Sequence, residues 1–197
     1  MKLLKVRCSV AAKNVLSVKR QKTLLMKRFT SLLSLLFVCY LLLGAGLKSE
    51  IFTLYLVRHS EKVVSTEYPY DPPLTQCGEE RAKHLSSFLE EIQIDAVYST
   101  NFSRTEQTAQ PTASAKGLNI QSYSTSNLKE FSSQLLELKQ NALITGHSNT
   151  TGVLAGMLVN QEIGAFEEHI YNRIYQVVVC GDQRQLNLIH TSFECTP

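Results

Sequence analysis

Short apolar runs alternate with amphipathic segments along most of this chain. From residue 52 onward, short stretches of apolar or alternating residues are separated by longer segments in which apolar residues recur every three or four positions. The first pattern is typical of strands, and the second of helices that pack against a sheet. The pattern predicts strands at 52–57, 94–98, 118–123, 142–145, 174–179 and 185–190, and helices at 75–91, 131–140, 150–159 and, after residues 99–104, up to residue 116.

This order of elements predicts the fold class. Strands that alternate with helices form a mostly parallel sheet with helices on both faces. We therefore predict an α/β fold, specifically a three-layer α/β/α sandwich. The strands at 174–179 and 185–190 are separated by a short turn, so we expect them to form an antiparallel hairpin at the C-terminal end of the sheet.

Residues 1–47 have a different pattern, in which basic residues precede the uncharged run 29–47. Lys27-Arg28, the apolar run and the small residues at its end match a secretory signal peptide. The run also just reaches the length that spans a bilayer, so an uncleaved N-terminal membrane anchor is the alternative. Both versions export residues 48–197, and we expect this domain to be periplasmic or anchored to the outer side of the cytoplasmic membrane.

Charge is distributed unevenly between the two ends of the chain. Residues 1–50 carry ten Lys or Arg and one acidic residue, which gives +9, whereas residues 51–197 carry ten Lys or Arg and sixteen acidic residues, which gives −6. A net-acidic domain is poorly suited to a nucleic-acid backbone, which requires clustered basic residues. We therefore expect no nucleic-acid partner.

The cysteines favour neither a disulfide framework nor a metal site. Outside residues 1–47 the chain has Cys77, Cys180 and Cys195, an odd number without a Cys-x-x-Cys pair. If the chain runs straight from a turn next to Cys180, Cys195 lies far beyond disulfide reach of it. We expect free, buried thiols.

Polar residues follow three of the predicted parallel strands. Arg58 and His59 follow the first strand, residues 99–104 follow the second, and Gly146-His147 follow the fourth. Parallel strands bring their carboxyl ends to one edge of a sheet, where ligands bind. Basic groups brought together there repel one another and are costly to bury without a counter-anion. A phosphoryl group removes this difficulty, since arginine donors match its oxygens, and the sequence therefore predicts a phosphate site.

Four sequence motifs resemble those of the histidine phosphatase (phosphoglycerate mutase-like) superfamily, in its short branch without a lid. In chain order they are Leu56-Val57-Arg58-His59-Ser60-Glu61, Pro73-Leu74-Thr75-x-x-Gly78, Tyr98-Ser99-x-x-x-x-Arg104-x-x-x-Thr108-Ala109 and Gly146-His147-Ser148. The resemblance covers residues 51–195. It implies a phosphomonoesterase that acts on a small phosphorylated substrate and requires no metal or other cofactor.

The resemblance also implies roles for individual residues. His59 corresponds to the nucleophile, whose ring nitrogen attacks phosphorus and forms a phosphohistidine. Arg58, Arg104 and His147 correspond to the phosphate pocket, which stabilises the charged oxygens of the transition state. Glu130 lies where mutase-like members carry the carboxylic acid that protonates the leaving group, and a solvated loop glutamate is the alternative.

Several departures from the family pattern affect the expected chemistry. Ser60 replaces the glycine that most members have after the nucleophile, and a serine fits there only if its φ is negative. The 42 residues between Arg104 and His147 leave little room for the lid of a mutase, which favours hydrolysis. Glu61 follows the nucleophile too closely to reach the opposite side of the phosphorus. Ser148 excludes the His-Asp pair of acid-phosphatase relatives.

Two alternative functions follow from these departures. One is a domain that binds or scaffolds a phosphorylated ligand without turnover. The other is a protein phosphohistidine phosphatase, whose imidazole leaving group needs no carboxylic donor, although export argues against it. We expect the loop 62–73 to form one wall of the site, with Lys62, Tyr68 and Tyr70 as candidate substrate contacts. The sequence predicts no oligomeric state.

Overall fold

The computed structural model describes residues 50–195 of the 197-residue chain. The signal peptide or anchor predicted within residues 1–47 therefore lies outside the described residues. Among residues 50–195, no helix has the length and apolar character needed to cross a membrane.

The described residues form six strands and four α-helices in the predicted order. The strands are β1 (Ile51–Arg58), β2 (Ala96–Ser99), β3 (Ile120–Ser122), β4 (Ala142–Gly146), β5 (Arg173–Cys180) and β6 (Gln183–His190). The helices are α1 (Gln76–Phe88), α2 (Ser103–Lys116), α3 (Leu128–Leu138) and α4 (Thr151–Val159), and a short 3₁₀ helix (Thr125–Asn127) precedes α3.

The strands form one six-stranded sheet in the order β3-β2-β4-β1-β5-β6. β4 pairs in parallel with both β1 and β2, and β3 pairs in parallel with β2. β5 is antiparallel to β1, and β6 is antiparallel to β5. The predicted mostly parallel sheet with an antiparallel C-terminal hairpin is confirmed. Arg58 pairs with Gly146, so the carboxyl ends of β1 and β4 are level with each other.

Alternate residues of β1 pack against the two layers of helices. Leu54 and Leu56 are fully buried in a cluster with side chains of α3 and α4, whereas Tyr55 and Val57 pack with side chains of α1 and α2. Successive side chains of a strand point to opposite faces, so a strand covered on both faces requires a continuous apolar run. Burial of each leucine contributes about 1.5–3 kcal/mol. β1 thus lies within a three-layer sandwich, as predicted.

Two helix ends follow from individual residues. The Thr75 Oγ1 accepts a hydrogen bond from the Gly78 backbone N at 3.1 Å, which caps the start of α1. A Cβ atom at Gly78 would overlap the backbone oxygen of Glu61, so only glycine allows α1 to begin against this loop. α2 ends at Gly117, whose φ of 65° lies in the left-handed region that favours glycine. The predicted end of α2 at residue 116 is confirmed.

Several predicted boundaries differ from the structure by up to three residues, and two of these differences have an evident cause. β3 spans Ile120–Ser122 rather than 118–123, because the Leu118 backbone N donates to the carbonyl of Ala113 in α2 and not to a neighbouring strand. α3 begins at Leu128 rather than at residue 131, because the Leu128 side chain is buried in the core and starts the apolar face of the helix.

The prediction of free, buried thiols is wrong for Cys77 and Cys195, which form a disulfide. The prediction assumed a straight path after the last strand, but the chain crosses to α1 instead. There the carbonyl of Phe193 accepts a hydrogen bond from Nη1 of Arg81 at 3.0 Å. This path brings the Cα atoms of the two cysteines to 5.6 Å, which is within disulfide reach.

Reduction of the Cys77–Cys195 bond is expected to lower the free energy of unfolding by about 2–4 kcal/mol, because the bond restricts the unfolded chain over a long loop. Urea unfolding with and without a thiol reductant measures the effect. The Cys77→Ser/Cys195→Ser variant is the control and should be equally destabilised yet insensitive to reductant. A wild-type unfolding curve that reductant does not shift would contradict the disulfide.

Candidate active site

The carboxyl ends of β1, β2 and β4 bring four of the predicted site residues together. Arg58 ends β1 and His59 follows it, Arg104 lies in the first turn of α2 after β2, and His147 follows β4. The His59 backbone N donates to the carbonyl of Gly146 at 2.9 Å, which extends the contact between β1 and β4 beyond their last paired residues. The four side chains line one open pocket, and its other lining residues are Lys62, Phe102, Thr125, Ser148, Asn149, Thr150 and Glu168.

The imidazole of His59 is buried, with 3% of its surface exposed, and held in one orientation. Its Nδ1 lies 2.7 Å from the carbonyl oxygen of Ser60. A carbonyl accepts only, so Nδ1 carries the proton and Nε2 keeps a lone pair. Burial, together with the charges of Arg58 and Arg104, lowers the pKa of His59 to about 3. Near neutral pH the ring is therefore uncharged and has a nitrogen available for attack.

Ser60 has the negative φ that a serine requires at this position. Among the described non-glycine residues, positive φ angles occur at Lys139 and Asn160, so the φ of Ser60 is negative. The Ser60 backbone N donates to Oγ1 of Thr108 at 2.9 Å, and this hydroxyl donates to the carbonyl of Arg104 at 2.7 Å. Thr108 thus links the residue after His59 to the first turn of α2.

His147 is positioned by a chain of hydroxyl groups. Its ring centroid lies 5.6 Å from that of His59, and its Nε2 lies 3.0 Å from Oγ1 of Thr100. Thr100 Oγ1 is in turn 2.9 Å from Oγ1 of Thr105, which donates to the carbonyls of Thr100 and Phe102. Because the Thr105 proton is used there, Thr100 can donate to Thr105 and accept from Nε2–H of His147. Burial and neighbouring cations lower the pKa of His147 to about 4.

Arg58 is 5% exposed and is fixed by backbone oxygens and an aromatic ring. Its Nη1 donates to the carbonyl of Glu168 and, at 3.5 Å, to that of Ile170. Its guanidinium carbon lies 4.3 Å from the centre of the Tyr171 ring. Burial lowers the pKa of the Arg58 guanidinium, and the neighbouring Tyr171 and Glu168 side chains oppose this shift. These contacts fix the direction of the guanidinium without neutralising it.

Arg104 is held by the loop before α1 and by its own helix start. Its Nη1 lies 3.6 Å from Oδ1 of Asp71, and its guanidinium carbon lies 4.5 Å from the centre of the Phe102 ring. Asp71 also accepts hydrogen bonds from the backbone N and the hydroxyl of Ser103, at 2.8 and 2.6 Å. Asp71 therefore joins the loop 62–73 to the start of α2. Nothing in the sequence distinguishes it from other loop carboxylates.

Both arginines retain donors without a hydrogen-bond acceptor, although Nη1 of Arg104 also has the ion-pair contact with Asp71. Within residues 50–195, Nε of Arg58 and Nε and Nη1 of Arg104 are buried and have no hydrogen-bond acceptor. A buried donor without an acceptor costs about 1–3 kcal/mol. An anion in the pocket would supply the acceptors, and charge-assisted bonds of this kind are stronger than neutral ones. The arrangement fits a phosphoryl group.

The structure does not bring Glu130 to this pocket. Glu130 is exposed in the first turn of α3 and is not among the lining residues, so its assignment as proton donor rests on the family resemblance alone. Glu61 is turned away from the pocket, where both of its carboxylate oxygens accept hydrogen bonds from Arg81. Of the predicted substrate contacts, Lys62 lines the pocket, while Tyr68 and Tyr70 do not.

Away from the pocket, one cluster of side chains in residues 50–195 has the composition of a metal site. Glu61, Cys77 and Cys195 offer ligand atoms within 4.8 Å of one another. The two sulfur atoms are bonded together, and the carboxylate is paired with Arg81. As it stands, this cluster therefore lacks the free thiolates that a metal ion requires.

The lowered pKa values predict that His59 and His147 are both uncharged near pH 6. Their ring signals, assigned from spectra of His59→Asn and His147→Asn variants, should not titrate between about pH 8 and pH 5 in nitrogen–proton correlation spectra of the phosphate-free protein. An inflection near pH 6.5 for either ring would contradict the proposed tautomer and charge of the pocket.

The same shifts predict how stability depends on pH. Unfolding restores the ordinary histidine pKa of about 6.5, so below this pH the unfolded chain binds more protons than the native chain. The free energy of unfolding should therefore fall as the pH falls from about 6.5 towards the native values near 4 and 3. Urea titrations at several pH values measure this slope. The His59→Asn/His147→Asn variant should have a shallower slope, and an unchanged slope would contradict the prediction.

The fold resembles those of several solved structures. The protein histidine phosphatase SixA complexed with tungstate is 18% identical, with a TM-score of 0.62 over 71% of this chain and 97% of that chain. The alpha-ribazole phosphatase from Shigella flexneri is 16% identical, with a TM-score of 0.59 over 71% of this chain and 96% of that chain. A mycobacterial glucosyl-3-phosphoglycerate phosphatase is 11% identical, with a TM-score of 0.59 over 72% of this chain and all (100%) of that chain. At these identities the likeness shows a common fold.

The sequence itself matches one family. No curated protein sequence matches the chain significantly. The model of the histidine phosphatase superfamily (branch 1) matches residues 54–154, just over half of the chain. The matched region contains Arg58, His59, Arg104 and His147, which the structure brings together in one pocket. The chain therefore belongs to the histidine phosphatase superfamily.

Proposed function

We propose that this protein is a metal-independent phosphatase that hydrolyses small phosphate monoesters through a phosphohistidine on His59. The observation that carries the proposal is the uncharged, oriented ring of His59 beside buried arginine donors that lack acceptors. A neutral nitrogen nucleophile and an anion-binding pocket are the two parts that phosphoryl transfer requires of a protein. The solved structures of similar fold include phosphatases, which agrees with this class of reaction.

In the first step, Nε2 of His59 attacks phosphorus in line with the leaving oxygen. Negative charge then lies on the three equatorial oxygens, where Arg58 and Arg104 can donate their unused N–H groups. Binding of this anion also raises the pKa of His147, because a nearby negative charge favours the protonated ring. The imidazolium then adds a third positive group around the phosphoryl oxygens. In the second step water attacks phosphorus and the bond to Nε2 breaks.

The topology supports hydrolysis rather than transfer to a retained substrate. The segment between Arg104 and His147 is occupied by the rest of α2, by β3, by α3 with the short helix before it, and by β4. The helices and strands of this segment belong to the sandwich, and of its residues Thr125 alone lines the pocket, so the segment holds no inserted lid. Water can therefore reach the phosphohistidine, and a bound product can leave before a second transfer.

A protein phosphohistidine phosphatase is the second candidate. The pocket that holds His59 is open to solvent, so a phosphorylated side chain on a protein could reach it. The structure of SixA, a protein histidine phosphatase, has a similar fold. A domain that binds phosphate without turnover is less well supported, because the orientation and neutral state of the His59 ring serve catalysis rather than binding.

We expect the protein to become labelled on His59 when it turns over a ³²P-labelled aryl phosphate. The label should be stable in alkali and labile in acid. His59→Asn should abolish the label and lower kcat/KM by at least about 10³-fold, because the nucleophile is lost. His190→Asn is the matched control, since His190 is exposed at the end of β6 and lies outside the pocket. Full activity in His59→Asn, or loss of wild-type activity in EDTA, would contradict the proposed mechanism.

We also propose that the reaction takes place outside the cytoplasmic membrane. The basic start and apolar run within residues 1–47 support export, and the Cys77–Cys195 disulfide suits an oxidising compartment. A fusion of residues 1–50 to alkaline phosphatase, which is active only after export, should be active in bacterial cells. The Leu35→Arg/Leu36→Arg variant of the fusion should be inactive, because it places charge within the apolar run. An inactive wild-type fusion would refute export.

A further inference from the structure

One carboxyl side chain lines the pocket within the part of the chain that the structure describes, and it is that of Glu168. We infer that Glu168 is the proton donor to the leaving oxygen, and that the site is therefore equipped to cleave alkyl phosphate monoesters. The inference rests on the proposed function. Glu168 would act on the leaving group, whereas His59, Arg58 and Arg104 act on the phosphoryl group that is transferred.

Glu168 lies in the segment between α4 and β5, which contacts the pocket at several points. The Phe166 backbone N donates to the carbonyl of Ser148 at 3.1 Å, so the segment is joined to the residue after His147. The carbonyl of Glu168 accepts from Arg58, and the ring of Tyr171 packs against the same guanidinium. Backbone contacts on both sides therefore fix the position of residue 168, while its side chain is exposed at the mouth of the pocket.

The charge of Glu168 acts on both arginines of the pocket. Its carboxylate opposes the lowering of the pKa of Arg58 and also that of Arg104, so it lies within electrostatic range of both guanidinium groups. A bound phosphoryl dianion adds negative charge beside Glu168, and a nearby negative charge favours the protonated form of a carboxyl group. Substrate binding thus favours the state in which the carboxyl group can donate a proton.

The other candidate donors are engaged elsewhere or are weaker acids. Glu61 is paired with Arg81, and Asp71 accepts hydrogen bonds from Ser103. Lys62 lines the pocket, but an ammonium group is a much weaker acid than a carboxyl group. Of the carboxyl groups in residues 50–195, Glu168 is the one that lines the pocket.

The two steps then balance with Glu168 as acid and afterwards as base. In the first step the bond from Nε2 of His59 to phosphorus forms, the bond from phosphorus to the leaving oxygen breaks, and the Glu168 proton passes to that oxygen to give an alcohol. In the second step water attacks phosphorus, the bond to Nε2 breaks, and the water proton passes to the Glu168 carboxylate. The products are the alcohol and inorganic phosphate, and both residues return to their starting states.

This role separates substrate classes by their leaving groups. An alkoxide is a strong base and leaves poorly unless it is protonated, whereas a nitrophenolate leaves as a stable anion. The imidazole of a phosphohistidine can leave after protonation by solvent. A carboxyl donor is therefore of use chiefly for alkyl esters, and its presence distinguishes the leading function from the phosphohistidine alternative.

The test compares Glu168→Gln with Glu167→Gln, a matched exposed neighbour outside the pocket lining. For each protein, kcat/KM is measured with glycerol 2-phosphate and with 4-nitrophenyl phosphate. Glu168→Gln should lower the ratio of alkyl to aryl activity by about 10²-fold, the usual lower bound for general acid catalysis. Glu167→Gln should leave this ratio at the wild-type value. Glu168→Asp should retain part of the ratio of alkyl to aryl activity. This variant takes the place of Glu168→Gln if Glu168→Gln does not fold.

Several outcomes would overturn the inference. Equal losses for both substrates in Glu168→Gln would indicate a binding role, and an unchanged ratio would exclude a proton donor. If Glu130→Gln lowered the ratio of alkyl to aryl activity and Glu168→Gln did not, the donor would be assigned to α3. A wild-type protein that cleaves the aryl but not the alkyl ester would overturn this inference and leave the proposed function intact. A wild-type protein without His59-dependent activity on either ester would overturn both.

Discussion

The concentration of basic side chains at one edge of the sheet is the constraint on which the site depends. Arg58 and His59 are buried and His147 is half-buried, and the three groups would repel one another if all were charged. Burial keeps both histidine rings uncharged, so the arginines remain the principal cations. The two arginines are held by backbone oxygens, by aromatic ring faces and by the carboxylate of Asp71. These contacts leave some of the arginine donors without an acceptor. The result is a pocket whose arginines are held in place when it is empty and still have donors to offer to an anion.

Much of this arrangement follows from the order of residues along the chain. The sequence places Arg58, His59 and His147 directly after buried parallel strands, and strand pairing alone brings such residues to one edge. Arg104 was identified because the family motif fixes its distance from the second strand. The fold class was predictable for the same reason, since an apolar run such as β1 needs helices on both faces.

Other parts of the site depend on contacts that no local pattern contains. The hydroxyl chain from Thr100 to Thr105 arises from the turn between β2 and α2, and neither residue stands out in a sequence. Glu168 reaches the pocket because backbone contacts hold a segment without helical or strand periodicity. Cys77 and Cys195 meet because the tail crosses to α1 after its last strand. In each case the decisive information is the path of an irregular segment, which apolar periodicity does not determine.

The unused arginine donors have a further consequence for a hydrolase. They do not distinguish a phosphoryl group under transfer from free phosphate, because both offer the same oxygens to Arg58 and Arg104. If the proposed function holds, free phosphate competes with the substrate for this open pocket. The rate of hydrolysis then falls when phosphate is abundant and rises when phosphate is scarce.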